Sequence, residues 1–239
     1  MTASAPEIEI EPTAKSRVWA FAEFALIAFW FVADILSWGH HIVTLSKTIN
    51  IFLLAWLSLW LRGIGWRGVG LRRPIDWRKT LLLGIGAGLA MEALELFITQ
   101  PLLERAFHKP PNLSSIMELF GSWKMLALAL ALTWTLAAFG EEMVYRGYLV
   151  NRVTDLVGKN RAGWITSLLL VNIVFGLAHY YQGITGMTEN FIDGLLLGLI
   201  YFAAGRNLWA PILAHGITDS ADSLLIFSGH YPGMHLGIH

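Results

Sequence analysis

Residues 125–147 read MLALALALTWTLAAFGEEMVYRG. The first fifteen of these positions carry no charge, and Glu141, Glu142 and Arg146 follow at once. An ionisable side chain inside a bilayer costs roughly 2.5–3.5 kcal/mol on insertion scales, so one that persists there serves a purpose. The spacing sorts the three. Glu142 and Arg146 are four apart and share a helix face, where they can pair. Glu141 points about 100° around the helix from Glu142 and has no partner in the motif. One carboxylate is thereby neutralised, and the other is left for acid–base work.

The rest of the chain agrees with a membrane setting. Its 239 residues are 55% hydrophobic and 14% charged, with a mean hydropathy of +0.55, where soluble domains carry about 25% charged residues. The formal net charge is zero, and without a basic patch on an ordered domain nucleic acid is excluded as a partner. There is no Cys, which removes disulfide and thiolate chemistry. The 11 Trp suit indoles anchored at membrane interfaces.

Seven apolar segments recur, at 18–36, 49–61, 80–98, 124–139, 162–179, 191–204 and 208–227. A spanning helix needs about 20 residues, so the expected fold is an all-α membrane bundle of seven to eight transmembrane helices. It forms one domain over 17–239, behind a polar tail at 1–16 that contains Glu7, Glu9 and Glu11. Arg62, Arg67, Arg72, Arg73, Arg78 and Lys79 crowd the link between the second and third segments, which places that link in the cytoplasm. The expected site is an integral protein of a bacterial cytoplasmic membrane. Residues 99–123, with Pro101, Pro110 and Pro111, form the long link on the opposite side. Within it, residues 113–120 read either as a short interfacial helix or as plain loop.

Two further constellations carry chemistry: Phe175 with His179, and His215 with Asp219. Each pair is spaced i,i+4, so ring lies beside imidazole in the first and carboxylate beside imidazole in the second. Together with Glu141 they come from three helices, which a bundle can bring to one point. A carboxylate and an imidazole can hold a water and take its proton, while a second imidazole stabilises an oxyanion. Glu141, His179 and His215 could equally ligate Zn²⁺, although the H-E-x-x-H spacing is absent.

The ordered set Glu141-Glu142-x-x-x-Arg146, Phe175-x-x-x-His179 and His215-x-x-x-Asp219 resembles the three motifs of the CPBP family. That family comprises the CAAX-processing endopeptidases and bacteriocin-processing membrane proteases. The flanks agree too, Phe139-Gly140 before the first motif and Leu208-Trp209-Ala210-Pro211 before the third. The resemblance covers residues 139–219 and implies an all-helical intramembrane endopeptidase. In it Glu141 would activate water with help from His179, and His215 and Asp219 would form the oxyanion side. Glu142 and Arg146 would shape the site. The implied partners are the lipid bilayer and a substrate that is a peptide or membrane-protein segment, prenylated or not. The family's third motif often ends in Asn. An ionised Asp219 accepts but cannot donate, so it is read here as the orienter of His215. Metal-dependent and metal-free glutamate chemistry both stay open.

Three expectations concern geometry. If the fourth helix stopped at Phe139, Glu141 and His179 would sit at opposite membrane edges. The helix is therefore expected to run over about 123–155, and the fifth segment to begin later than Ala162. The cavity is expected to open on the basic, cytoplasmic side, with the 99–123 link clear of its entrance. Glu92 and Glu95 are intramembrane acids that either line the same cavity or pair with a base. Two other functions use the same residues. One is a proton- or ion-coupled transporter built on Glu23, Asp34, Glu92, Glu95, Glu141, Asp193 and Asp219. The other is a non-catalytic membrane scaffold or immunity protein.

Overall fold

The computed structural model describes residues 14–39, 47–232 and 234. Most of the expected N-terminal tail and the histidines His40, His41, His235 and His239 lie outside them.

Each apolar segment becomes a helix. These are α1 (Ala14–Gly39), α2 (Lys47–Leu61), α3 (Trp77–Phe107), α4 (Trp123–Val157), α5 (Arg161–Ala178), α6 (Gly183–Ala203) and α7 (Trp209–Ser228). No strand occurs among the described residues. Side-chain caps start three of them: Asp76, Ser122 and Asn160 accept from the backbone N–H three residues on, at 3.2, 3.3 and 2.8 Å. Gly158, at φ +109°, stops α4.

Among the described residues, four helices are both long and apolar enough to cross a membrane: Val18–Ser37 within α1, then α3, α4 and α5. That is fewer than the seven to eight expected. α2 is apolar but has 15 residues. α6 and α7 have 21 and 20 residues and carry acids along their length: Glu189 and Asp193 in one, Asp219 and Asp222 in the other. Outward-facing side chains confirm an apolar surround for the bundle. Phe21, Trp60, Leu82 and Phe97 are each at least two-thirds exposed, an outer surface suited to lipid rather than water.

α3 is longer than expected. It passes through Pro101 and ends at Phe107, where His108 takes a left-handed conformation. A proline ring inside a helix clashes with the preceding turn and removes a hydrogen bond. A π turn at Glu95–Thr99 opens the helix just ahead of the proline. The link that remains is irregular except for one 3₁₀ turn at Met117–Leu119, so no interfacial helix forms there.

α4 is the central element. Its first turns are exposed along most of their surface, while residues 142–150 are buried on every side. Around them pack Ile51, Ala55 and Leu59 of α2 and Val171 and Phe175 of α5. Glu23 of α1 is bound into the same core by Arg152 Nε at 2.6 Å and Ser58 Oγ at 2.7 Å.

Hydrogen bonds between connections define two faces of the bundle. On one, Arg72 Nη2 donates to the Gly205 carbonyl at 2.9 Å, and Leu208 N to Gly70 at 3.1 Å. On the other, Asn112 N donates to Gln182 at 2.9 Å, and Gly121 N to Phe227 at 3.0 Å. The first is the basic face; the second is the link face.

α7 lies directly against α3. A Cβ at Gly88 would stand 2.8 Å from the Ala214 carbonyl oxygen, so glycine sets this approach. Gly86, on the same helix, faces open space. Gly88→Leu is therefore expected to displace α7, with the His215–Asp219 pair it carries, lowering both melting temperature and activity. Gly86→Ala should leave activity unchanged and stabilise by up to about 1 kcal/mol, the propensity difference. Equal effects of the two in thermal melts would show that contact with α7 does not matter.

Candidate active site

The three motifs meet because α4 runs on. Glu141 lies sixteen residues before Val157 and His179 eighteen after Arg161, so at about 1.5 Å per residue both stand about 25 Å from the turn joining α4 to α5. The long fourth helix is as expected. The fifth begins at Arg161, not later than Ala162, because Asn160 caps it at once and the extension of α4 alone brings the residues level.

The first motif sits in a π-helical stretch, Thr133–Leu149. Such widened turns are rare and concentrate at functional sites. On this segment the two glutamates part company. Glu142 and Arg146 are wholly buried and joined at 2.7 Å. The guanidinium also donates to Asn172 Oδ1 at 3.2 Å and to the Gly194 carbonyl at 2.7 Å, and it lies 4.7 Å from the Phe175 ring centroid. Arg146 thus ties α4 to α5 and α6. Its neighbour Glu141 is half-buried, and its one hydrogen bond among the described residues is a long one from Thr48 Oγ1, at 3.4 Å.

His179 caps the end of α5. Its Nδ1 is 2.9 Å from the Phe175 carbonyl. A carbonyl only accepts, so Nδ1 carries the proton and the neutral ring keeps a lone pair on Nε2. The Phe175 ring, 4.9 Å from the imidazole, forms the wall expected there. His215 lies between two carboxylates. Nδ1 is 3.0 Å from Glu142 Oε1 and Nε2 is 3.5 Å from Asp219 Oδ1. Glu142 is therefore the nearer orienter of His215, a role the sequence reading gave to Asp219. The i,i+4 rule pairs residues of one helix, and this contact crosses from α4 to α7. For both contacts to be hydrogen bonds, both nitrogens must carry protons.

Glu141, His179, His215 and Asp219 line one cavity of about 530 Å³. Glu142 and Arg146 are buried behind it. The sequence reading missed Thr48, Asn172 and the Gly194 carbonyl. Asn172 had a signal, because Arg146 has five donors, one carboxylate cannot satisfy them, and an Asn in an apolar helix is a natural acceptor.

The link is not clear of the cavity as expected. Pro111, Leu113, Ile116 and Leu119 of the link line the cavity, while the basic face holds a separate pocket beside Arg62, Lys159 and Arg206. Glu141 lies midway along α4, and His179 lies at the link face. A Cys-free chain allows a direct check. Ser115→Cys on the link face and Lys159→Cys on the basic face should react with a membrane-impermeant thiol reagent from opposite sides of sealed vesicles. Labelling of both from one side would contradict the two-faced bundle.

The donor atoms of Glu141, His179 and His215 do not gather around a metal position. Among the described residues, the one group of three whose ligand atoms fall within 4.8 Å of one another is Glu92, Glu95 and Asp222. His215, moreover, has both ring nitrogens engaged. As placed, the three side chains do not offer a zinc ion a common ligating position.

The architecture is thus a helical membrane bundle with a carboxylate- and imidazole-lined cavity. Residues 122–221 match the family model for Rce1-like proteins, the type II CAAX prenyl endopeptidases. The match contains all three motifs and supports a likeness of this segment to the CPBP/CAAX proteases. No curated protein and no solved structure gives a match.

Proposed function

We propose that the chain is a metal-free intramembrane endopeptidase that hydrolyses a peptide bond in a hydrophobic or lipid-linked peptide. One observation carries the reading: Glu141, His179, His215 and Asp219 face a common cavity, while Glu142 is locked to Arg146 outside it. Glu141 takes a proton from a water held between its carboxylate and the Nε2 lone pair of His179. The hydroxide adds to the scissile carbonyl carbon, and the charge on oxygen is met by the Nε2–H of His215. The contact of that N–H with Asp219 is the longer of the two on the ring, so it is the one that turns to the oxyanion. Collapse breaks the C–N bond, and the carboxyl of Glu141 returns its proton to the leaving amine.

The transporter reading loses two of its acids to structural pairs. Glu23 is bound by Arg152, and Asp34 by Lys47 at 3.1 Å. The test is cleavage of a quenched hydrophobic peptide, with and without a prenyl group, by the chain in lipid nanodiscs. Hydrolysis by the wild type that is lost in Glu141→Gln supports the proposal. Proton or cation flux in liposomes without hydrolysis would favour the transporter.

A further inference from the structure

Beside the groups of the proposed reaction lies a second set of acids that it does not use, two of which, Glu95 and Asp222, line the cavity. Glu92 and Glu95 lie three apart on α3, and Asp222 lies one turn beyond Asp219 on α7. One oxygen from each falls within 4.8 Å of the others. Glu92 and Glu95 are 8% and 4% exposed. Among the described residues, no Lys or Arg lines the cavity. Buried charges are normally paired or bound to a metal, and three like charges this close repel strongly in a low dielectric.

An independent observation points to a ligand. Neither oxygen of Glu92 has a hydrogen-bond partner among the described residues, although the side chain is more than nine-tenths buried and one of its oxygens belongs to the cluster. Asp222 Oδ1 and Glu189 Oε1 are also without partners, and both residues line the same cavity. Carboxyl groups sharing a proton draw together to about 2.5–2.7 Å, and Glu92 makes no such contact. Oxygens on opposite sides of a calcium-sized ion, each at about 2.3–2.6 Å, stand up to about 5 Å apart.

We infer that Glu92, Glu95 and Asp222 form a binding site for a hard divalent cation, Ca²⁺ or Mn²⁺. The all-oxygen donor set suits such ions rather than zinc. Glu189 lies within the same acid-lined space as a further oxygen donor, and the Tyr231 hydroxyl, 3.5 Å from Glu95 Oε1, closes one side. The bound ion clamps α3 to α7 one turn from Asp219, so it fixes the helix that presents His215. The site stands apart from the Glu141–His179 pair and does not depend on the chain being a protease.

The test uses the full chain in nanodiscs after chelation, with Mn²⁺ as probe. Free Mn²⁺ is followed by its paramagnetic resonance signal, and melting temperature is measured in parallel. The wild type should bind one Mn²⁺ per chain, displaceable by Ca²⁺, and melt higher with the ion. Glu92→Gln and Asp222→Asn should each weaken binding more than about tenfold, since fewer charged ligands remain, and should lose the thermal gain. Without metal, Glu92→Gln should melt at or above the wild-type temperature, because it removes one of three repelling charges. Glu141→Gln should bind Mn²⁺ as the wild type does. Absence of saturable binding in the wild type overturns the inference. So does binding that survives Glu92→Gln and Asp222→Asn, or that disappears in Glu141→Gln.

Discussion

Glu141→Gln should lower peptide hydrolysis by at least about 10²–10⁴-fold, the range assigned to a general base, with little change in stability. The substitution keeps the shape of the side chain and its contact with Thr48, which is already long at 3.4 Å. It removes the one function a carboxylate has here that an amide lacks, acceptance of a proton from water. Among the described residues Glu141 makes no ion pair, and substitutions away from structural networks usually stay within about 0.5 kcal/mol. The informative readout is the split: kcat falls while the melting curve and substrate binding persist. An active Glu141→Gln would sink the glutamate mechanism outright.

The division of labour between the two glutamates was legible in the sequence because it follows from helical spacing alone. Residues four apart share a face, and residues one apart do not. The length of α4 was legible for a related reason, since two motifs on antiparallel helices can meet only if the first helix is long enough to bring them level. Contacts between helices left weaker traces. Nothing in the spacing joins Glu142 to His215, because α4 and α7 are separated by two whole helices. The π stretch at Thr133–Leu149 has no local signature in the sequence.

The link was misread for a different reason. Prolines at 101, 110 and 111 read as connection, and a connection at the face away from the basic loops was assigned away from the site. Pro101 instead lies within α3, the connection is shorter, and its apolar residues fold over the cavity. Glu92 and Glu95 were visible as intramembrane acids. Their meeting with Asp222 depends on the close approach of α3 and α7 at Gly88, which only the assembled bundle contains.

The other large effect is expected at Arg146, and it is structural. Arg146→Ala removes the donor to Asn172 and to the Gly194 carbonyl, the stack on Phe175, and the partner of a carboxylate with no exposure at all. Stranding one member of a buried pair costs roughly 3–5 kcal/mol, so the variant should melt far below both the wild type and Glu141→Gln. The same logic makes the loss partly reversible. Neutralising the stranded acid in the double variant Glu142→Gln/Arg146→Met removes the uncompensated charge, and the longer Met refills part of the space. The double variant should therefore be more stable than Arg146→Ala alone. Activity should stay low in both, because Glu142 also orients His215 at 3.0 Å. Recovered stability without recovered activity is the signature of a pair that holds the fold and the histidine together. Equal melting temperatures for Arg146→Ala and Glu141→Gln would mean that the two glutamates were wrongly sorted.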